Sequence, residues 1–329
     1  MVRSVLFVAG AALLIALLWR LGLTDVLDAI GRVRWYFVAI LALGAAHHAT
    51  RARALQACVV RQRDVRYRDV LAIRLSGEAV QSLTFTGPVL AEPTKAWLLE
   101  KRGLTLVEGF AATITEYLIY TFVAAGMSIV GLVYVTTHFD APSTFAHVTW
   151  TIVVLCVAFL VASAMAIARR FYLIGTIIGG LARAGLLRGR LTPDVCWINR
   201  MEDLLLLVLR DSPARFAGVA ALELGAQALL VFELIVLLRA LDVVSSAWSA
   251  FAIESSVKFF EFAFVFVPLQ LGVSEGAYAW VFRVMSLPIA AGFAIAFLRR
   301  ARGLVIASVG LATLAVMSSM APEERAVRR

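Results

Sequence analysis

Charged residues are scarce in this chain of 329 residues. They make up 16% of it, and lysine occurs only as Lys95, Lys101 and Lys258. Soluble domains contain about 25% charged residues. Hydrophobic residues reach 61% of the chain. Such a chain cannot cover a water-facing surface with polar groups, so the composition excludes a soluble fold and predicts that lipid is its solvent.

Several chemical signatures are also missing. The three cysteines, Cys58, Cys156 and Cys196, lie far apart and form neither a disulfide framework nor a metal motif. The chain has no Walker A loop, HExxH or CxxC. The lack of a nucleotide motif argues against a primary pump, and we expect no metal or cofactor. The residues after Met317 are too few for a soluble catalytic domain, so we expect that the chain is not an enzyme.

The basic residues stand in short runs between apolar blocks, although the net charge of +9 alone would be compatible with nucleic-acid binding. Basic runs between spans are what the positive-inside rule describes, so we expect no nucleic-acid partner. The rule places both termini in the cytoplasm of a bacterial-type inner membrane. The arginine-rich segments 51–74, 95–102 and 169–215 face inward, and the loops around 137–147, 240–248 and 276–287, nearly free of basic residues, face outward.

Apolar runs of about 20 residues predict membrane-spanning helices. We therefore expect an all-α polytopic membrane protein with about eight apolar segments. Leu23–Val33 is predicted to be an interfacial helix, and the linker 169–215 to hold an amphipathic helix that begins near Pro193 and ends at Leu209. The six predicted full spans are Val5–Trp19, Trp35–Thr50, Glu108–Val135, Val148–Ala168, Phe216–Leu238 and Leu287–Met317.

The other two apolar segments, 70–94 and 249–276, are interrupted by charge, glycine and proline near their middles. Broken backbone survives at membrane depth only where protein or a watery cavity satisfies its polar groups. We interpret both segments as re-entrant helical hairpins, with Pro88 and Pro268 at the turns. Kinked full crossings are the alternative.

An internal repeat brings the two broken segments into register. A shift of 183 residues places Glu78 on Glu261 and Glu92 on Glu275, and it also matches two tryptophans and a Gly-Phe-Ala triplet. The repeats cover about 35–136 and 216–318, with the linker between them. The charge pattern makes the first hairpin enter from the cytoplasm and the second from outside. Inverted repeats with broken helices are a recurring transporter plan.

Two blocks of sequence carry a family resemblance. Residues 77–103, GEAVQSLTFTGPVLAEPTKAWLLEKRG, and residues 266–282, FVPLQLGVSEGAYAWVF with its P-x-x-LG-x-x-EG pattern, resemble the signatures of the lysylphosphatidylglycerol synthase transmembrane-region family. The similarity is closest to the branch associated with hopanoid biosynthesis. The resemblance implies a domain that moves lipids across the membrane. Some members carry an additional aminoacyl-transfer domain.

Ionisable residues within a span are candidates for function because burying them is costly. Glu116 lies about two turns inside its span, and its repeat mate is Arg299. We predict that Glu116 pairs with Arg299 or Arg300 near the bundle centre; a purely structural ion pair is the alternative. The predicted substrate-binding and translocation residues are Glu78, Gln81, Glu92, Lys95, Glu116, Lys258, Glu261, Gln270, Ser274, Glu275, Arg299, Arg300 and Arg302.

Other functions for these side chains stay open. The hairpin glutamates could instead cap half-helices or satisfy broken backbone. His47, His48, Arg51 and Arg53 are interpreted as an interfacial anchor at the end of the second span, with pH sensing or headgroup contact as the alternative.

The leading hypothesis is a transporter that moves a polar-headed lipid, such as an anionic, polyprenyl or hopanoid-type lipid, through a midplane cavity between the hairpins. The carboxylates are consistent with proton or ion coupling, and equally with an uncoupled scramblase. Two alternatives belong to other classes: a membrane-embedded transferase that acts on a lipid-linked substrate, and a scaffold that recruits lipid-synthesis enzymes through 169–215. The sequence does not indicate an oligomeric state.

Overall fold

The structure is a computed structural model that describes residues 33, 35–60, 65–84, 87–139, 143–170, 172, 175–176, 180, 195–264 and 272–319. The secondary structure of these residues is helical, with no strand among them. Their ten helices, in chain order, are α1 Trp35–Cys58, α2 Tyr67–Leu83, α3 Pro88–Glu100, α4 Leu106–His138, α5 Ser143–Ala168, α6 Val195–Leu209, α7 Pro213–Ala240, α8 Ala247–Ala263, α9 Val273–Val284 and α10 Ile289–Ser319.

Four of these helices, α4, α5, α7 and α10, are long and apolar enough to cross a membrane. They coincide with four of the predicted spans, and the prediction of an all-α polytopic membrane protein is confirmed. The predicted first span, Val5–Trp19, lies outside the described residues, as does Leu23–Val33 except for its last residue. Helix α1 runs eight residues beyond its predicted end at Thr50, to Cys58.

Each broken segment consists of two short helices that pack against each other. Helix α2 ends at Leu83, and α3 begins at Pro88 directly after Gly87, whose φ of 49° lies in the left-handed region. Proline suits the first helical position because its missing N–H has no partner there in any case. Helix α9 follows Gly272, whose φ is 80°. Residues 265–271, which include Pro268 and Gln270, lie outside the described part of the chain, so the predicted turn at Pro268 stays a prediction. Whether the pairs turn back within the membrane stays a prediction.

The helices of the two predicted repeats interlock. Helix α1 packs along α7, α2 packs against α10, and α8 packs against α4. Within each set, the second short helix also packs on the long last helix, α3 on α4 and α9 on α10. Helix α4 begins at Leu106 and α10 at Ile289, which is the 183-residue offset of the sequence repeat. We refer to α1–α4 and α7–α10 as the two halves; their inversion across the membrane stays a prediction.

Helices α5 and α6 lie outside this pattern. Both pack on α4, and α6 also touches α7. The apolar face predicted for α6 lies on the bundle, where Ile198, Met201 and Val208 are buried. The ring of Trp197 packs edge-on against Phe110 of α4, with centroids 5.5 Å apart.

Candidate functional site

A buried carboxylate stands at the centre of the first half. Helix α4 begins with a capping box between Thr105 and Glu108 and carries Glu116 inward, with no exposed surface. The Glu116 carboxylate lies 2.7 Å from Arg51 Nη2, 3.5 Å from Arg74 Nη1 and 3.7 Å from Lys95 Nζ. These cations come from α1, α2 and α3, so one carboxylate ties together all four helices of the half.

More carboxylates complete this group, which we call the Glu116 cluster. Each of three further glutamates contacts one of the cations, Glu78 on Arg74 at 3.4 Å, Glu92 on Lys95 at 2.7 Å and Glu223 on Arg51 at 3.2 Å. Because Glu223 lies on α7, the Arg51 guanidinium links the two halves. Buried charges are tolerated when they are paired in this way.

The second half contains a cluster with the signs exchanged, which we call the Arg299 cluster. Arg299 on α10 lies 2.7 Å from a carboxylate oxygen of Glu254 on α8 and 3.3 Å from one of Glu233 on α7. Its Nη1 also donates a hydrogen bond of 2.6 Å to the Tyr278 hydroxyl on α9. Arg302, one turn further along α10, pairs with Glu233 as well. Here one guanidinium ties together the four helices of its half.

The prediction that Glu116 pairs with Arg299 or Arg300 is therefore wrong. Glu116 and Arg299 do occupy corresponding positions, but each contacts side chains of the three preceding helices of its own half. Arg300 pairs with Glu275 instead. The physical reason is that both charges are already compensated by side chains on helices of their own half, so neither needs the other as a partner.

Between the two clusters lies a polar cavity of about 210 Å³. Both halves contribute to it, through α1, α2 and α4 on one side and α7 to α10 on the other. Eight of the predicted site residues line it: Glu78, Gln81, Lys258, Glu261, Ser274, Arg299, Arg300 and Arg302. Four others lie among the ion pairs beside it, namely Glu92, Lys95, Glu116 and Glu275. The remaining one, Gln270, lies outside the described residues.

Several donors around the cavity have no partner among the described residues. They are Nε and Nη2 of Arg300 and Nε of Arg302. Buried donors of this kind favour an anionic ligand, because a guanidinium matches the oxygens of phosphate or carboxylate. No group of three or more histidines, cysteines or acids in the described part of the chain is placed to hold a metal ion.

The interpretation of His47, His48 and Arg51 as an interfacial anchor is wrong. All three are buried and line the polar cavity, because α1 packs along α7. His47 Nδ1 donates a hydrogen bond of 2.9 Å to the carbonyl oxygen of Ala226. The Arg51 guanidinium lies over the Tyr120 ring, 4.0 Å from its centroid.

Other members of the site were not predicted. Glu223 and Glu233 stand inside a predicted span, so the rule for ionisable residues in spans would have found them. Arg74 was assigned to a basic loop and is 2% exposed on α2. Glu254 lies in the second broken segment, beside the predicted Lys258 and Glu261. No sequence signal marks Tyr117 and Tyr120 as lining residues.

Comparison with known proteins agrees with this architecture. No curated protein and no solved structure matches the chain. The model of one family, the lysylphosphatidylglycerol synthase transmembrane region, matches residues 2–310 and thus most of the chain. This match covers both clusters, the polar cavity and all of the two halves except the last nine residues of α10. The chain therefore belongs to the lysylphosphatidylglycerol synthase transmembrane-region family.

Proposed function

We propose that the protein moves a lipid with an anionic headgroup across the membrane through the polar cavity. The observation that carries this proposal is the cavity itself, which lies in the interior of a helical membrane protein and is lined by charged side chains of both halves. A headgroup crossing the bilayer needs such a path, because a charge in the hydrocarbon core costs several kcal/mol.

The cations of α10 are the proposed headgroup contacts. Arg300 and Arg302 line the cavity and keep guanidinium N–H groups without partners among the described residues. A phosphate placed there would receive charge-assisted hydrogen bonds, which are stronger than neutral ones. Glu116 and Arg299, at the centres of the two clusters, act differently in this proposal: each holds the helices of its half in place around the cavity.

Protonatable groups also line the cavity. Glu78 and Glu261 occupy corresponding positions in the two halves, and His48 faces the same space. Carboxylates and imidazoles at such positions can carry protons in transporters. We include proton coupling in the proposal, and an imposed pH gradient tests it.

The experiment uses the purified full chain in liposomes that contain fluorescent phosphatidylglycerol, with dithionite quenching as the readout of translocation. The informative variant is Arg300→Gln, and the control is Arg283→Gln, which removes an exposed arginine of α9. Loss of a hydrogen bond to a charged group costs about 1.5–3 kcal/mol, so we expect Arg300→Gln to slow translocation about tenfold or more. Arg283→Gln should match the wild type.

Four outcomes would contradict the proposal or one part of it. If no tested lipid is translocated, the proposed transport activity is wrong. If anionic and neutral headgroups are translocated at equal rates, the proposed headgroup contacts are wrong. A converted lipid detected by mass spectrometry would favour the membrane-embedded transferase. A rate that is the same with and without a pH gradient would leave an uncoupled scramblase in place of proton coupling.

A further inference from the structure

An apolar cleft of about 250 Å³ lies beside the polar cavity, between α4, α5 and α8. It lies next to the contact between α5 and α4. The residues that define it are Ala125 and Ser128 of α4, Cys156 and Phe159 of α5, and Lys258 and Phe259 of α8.

Lys258 lines both the apolar cleft and the polar cavity. Its ammonium lies 3.6 Å from carboxylate oxygens of Glu254 and Glu261, and Glu261 also lines the polar cavity. A lysine commonly lays its alkyl stem along apolar surface and keeps its charged end among polar groups. The two spaces therefore adjoin at one residue, with a polar region on one side and an apolar region on the other.

The cleft also reaches the surface that faces lipid. Two of its lining residues on α5 are exposed, Leu155 at 61% and Phe159 at 40%. Helix α5 is the least buried of the four candidate spans. A chain from the surrounding bilayer can thus enter the cleft from the side.

The size and lining of the cleft fit a hydrocarbon chain. An apolar cavity of about 150 Å³ in a protein interior holds a benzene molecule, so the larger cleft has room for a run of methylene groups. Within a bilayer, binding of such a chain depends on close packing rather than on exclusion from water. The aromatic rings of Phe159 and Phe259 provide that packing surface.

We propose that the cleft binds one acyl chain of the lipid whose anionic headgroup occupies the polar cavity. This inference rests on the proposed function, because it assigns the headgroup of the same molecule to that cavity. Lys258 marks the boundary between headgroup and chain. The protein then binds both the headgroup and one acyl chain of its substrate. Lipid reaches the polar cavity by a route between α4 and α5.

The test is photo-crosslinking of the full chain in nanodiscs that contain phosphatidylglycerol with a diazirine on one acyl chain, followed by peptide mass spectrometry. We expect crosslinks on the cleft-lining residues of α4 and α8. The variant Cys156→Phe fills the cleft, and Val154→Phe adds the same ring on the exposed side of α5, where Val154 is 64% exposed. Cys156→Phe should abolish the cleft crosslinks, and Val154→Phe should leave them unchanged.

Crosslinks spread evenly over exposed apolar positions, or cleft crosslinks that survive Cys156→Phe, would overturn the inference. Ala125→Leu fills the cleft from α4 and serves if Cys156→Phe does not fold. Diacylglycerol with the same diazirine chain should crosslink more weakly in the cleft, because it lacks the phosphate; equal labelling would also count against the inference.

Crosslinking requires no transport, so the two proposals fail separately. Positive translocation without cleft crosslinks overturns the acyl-chain site and leaves the proposed function. Cleft crosslinks without translocation of any lipid leave the site as a lipid-binding site and overturn the proposed function.

Discussion

At the scale of single residues, each half has one buried charged residue at its centre, and the two charges are of opposite sign. Position 116 carries a glutamate surrounded by three cations, and the corresponding position 299 carries an arginine bound to two glutamates and a tyrosine. Lys95 and Tyr278 also occupy corresponding positions, and each contacts the central residue of its cluster. A buried charge needs partners of opposite sign. The two central residues therefore have partners of opposite charge, although the surrounding helices are arranged in the same way.

We expect Glu116→Gln to destabilise the fold strongly. The variant leaves three buried cations with less compensation, and removal of one partner of a buried ion pair costs about 3–5 kcal/mol. Thermal unfolding in detergent, followed by intrinsic fluorescence, measures the effect. The control Glu100→Gln changes an exposed glutamate at the end of α3 and should stay within about 0.5 kcal/mol of the wild type. Equal unfolding temperatures for the two variants would refute a structural function for Glu116.

At the scale of helices, glycine sets the closest approach between the halves. A Cβ atom at Gly310 of α10 would overlap the carbonyl oxygen of Leu75 on α2 and lie 2.8 Å from Ala79 Cβ. Gly131 of α4 meets Ser255 of α8 in the same manner. Small residues allow helix backbones in membranes to approach closely and gain van der Waals contact.

Gly310→Ala should therefore push α10 away from α2 and lower stability, by about 1–3 kcal/mol for an overpacked contact. The matched control is Gly303→Ala on the same helix, where an added Cβ would meet no atom within 4 Å. Thermal unfolding of both variants in one detergent gives the comparison. If Gly310→Ala unfolds at the temperature of Gly303→Ala, the close crossing does not contribute as we argue.

The helices show where sequence-based prediction succeeded and where it failed. Continuous apolar runs locate α4, α5, α7 and α10. The second predicted span ends at Thr50, because His47 and His48 lie just before that residue and Arg51 follows it, yet α1 continues to Cys58. The carboxylates that make Arg51 tolerable lie on α4 and α7, and Glu223 is 172 residues away in the chain. The hydropathy of a short stretch of sequence does not reveal an ion-pair partner that is so distant along the chain.

At the scale of the whole molecule, the repeat predicted the correspondence of positions but not the contacts. The offset of 183 residues predicts that Glu116 and Arg299 are equivalent, and each stands at the centre of a cluster on the last helix of its half. Their pairing was predicted because mates in an inverted repeat face each other across its axis. The contacts instead depend on which helices share a half, and the interlocked packing of α2 on α10 and α8 on α4 becomes evident only in three dimensions.

The predicted inverted arrangement of the halves can be tested at the two faces of the membrane. The positive-inside rule predicts that the end of α3, beside arginine-rich segments, lies in the cytoplasm and that the loop before α8, which lacks basic residues, lies outside. In a variant without the native cysteines, Glu100→Cys should react with a membrane-impermeant maleimide only in inverted vesicles. Val244→Cys, at a position 96% exposed, should react only in right-side-out vesicles. Because the two variants should react in vesicles of opposite orientation, the unreactive variant in each preparation shows that the vesicles are sealed. Labelling of both from one side would place the two halves in parallel and exclude the inverted repeat.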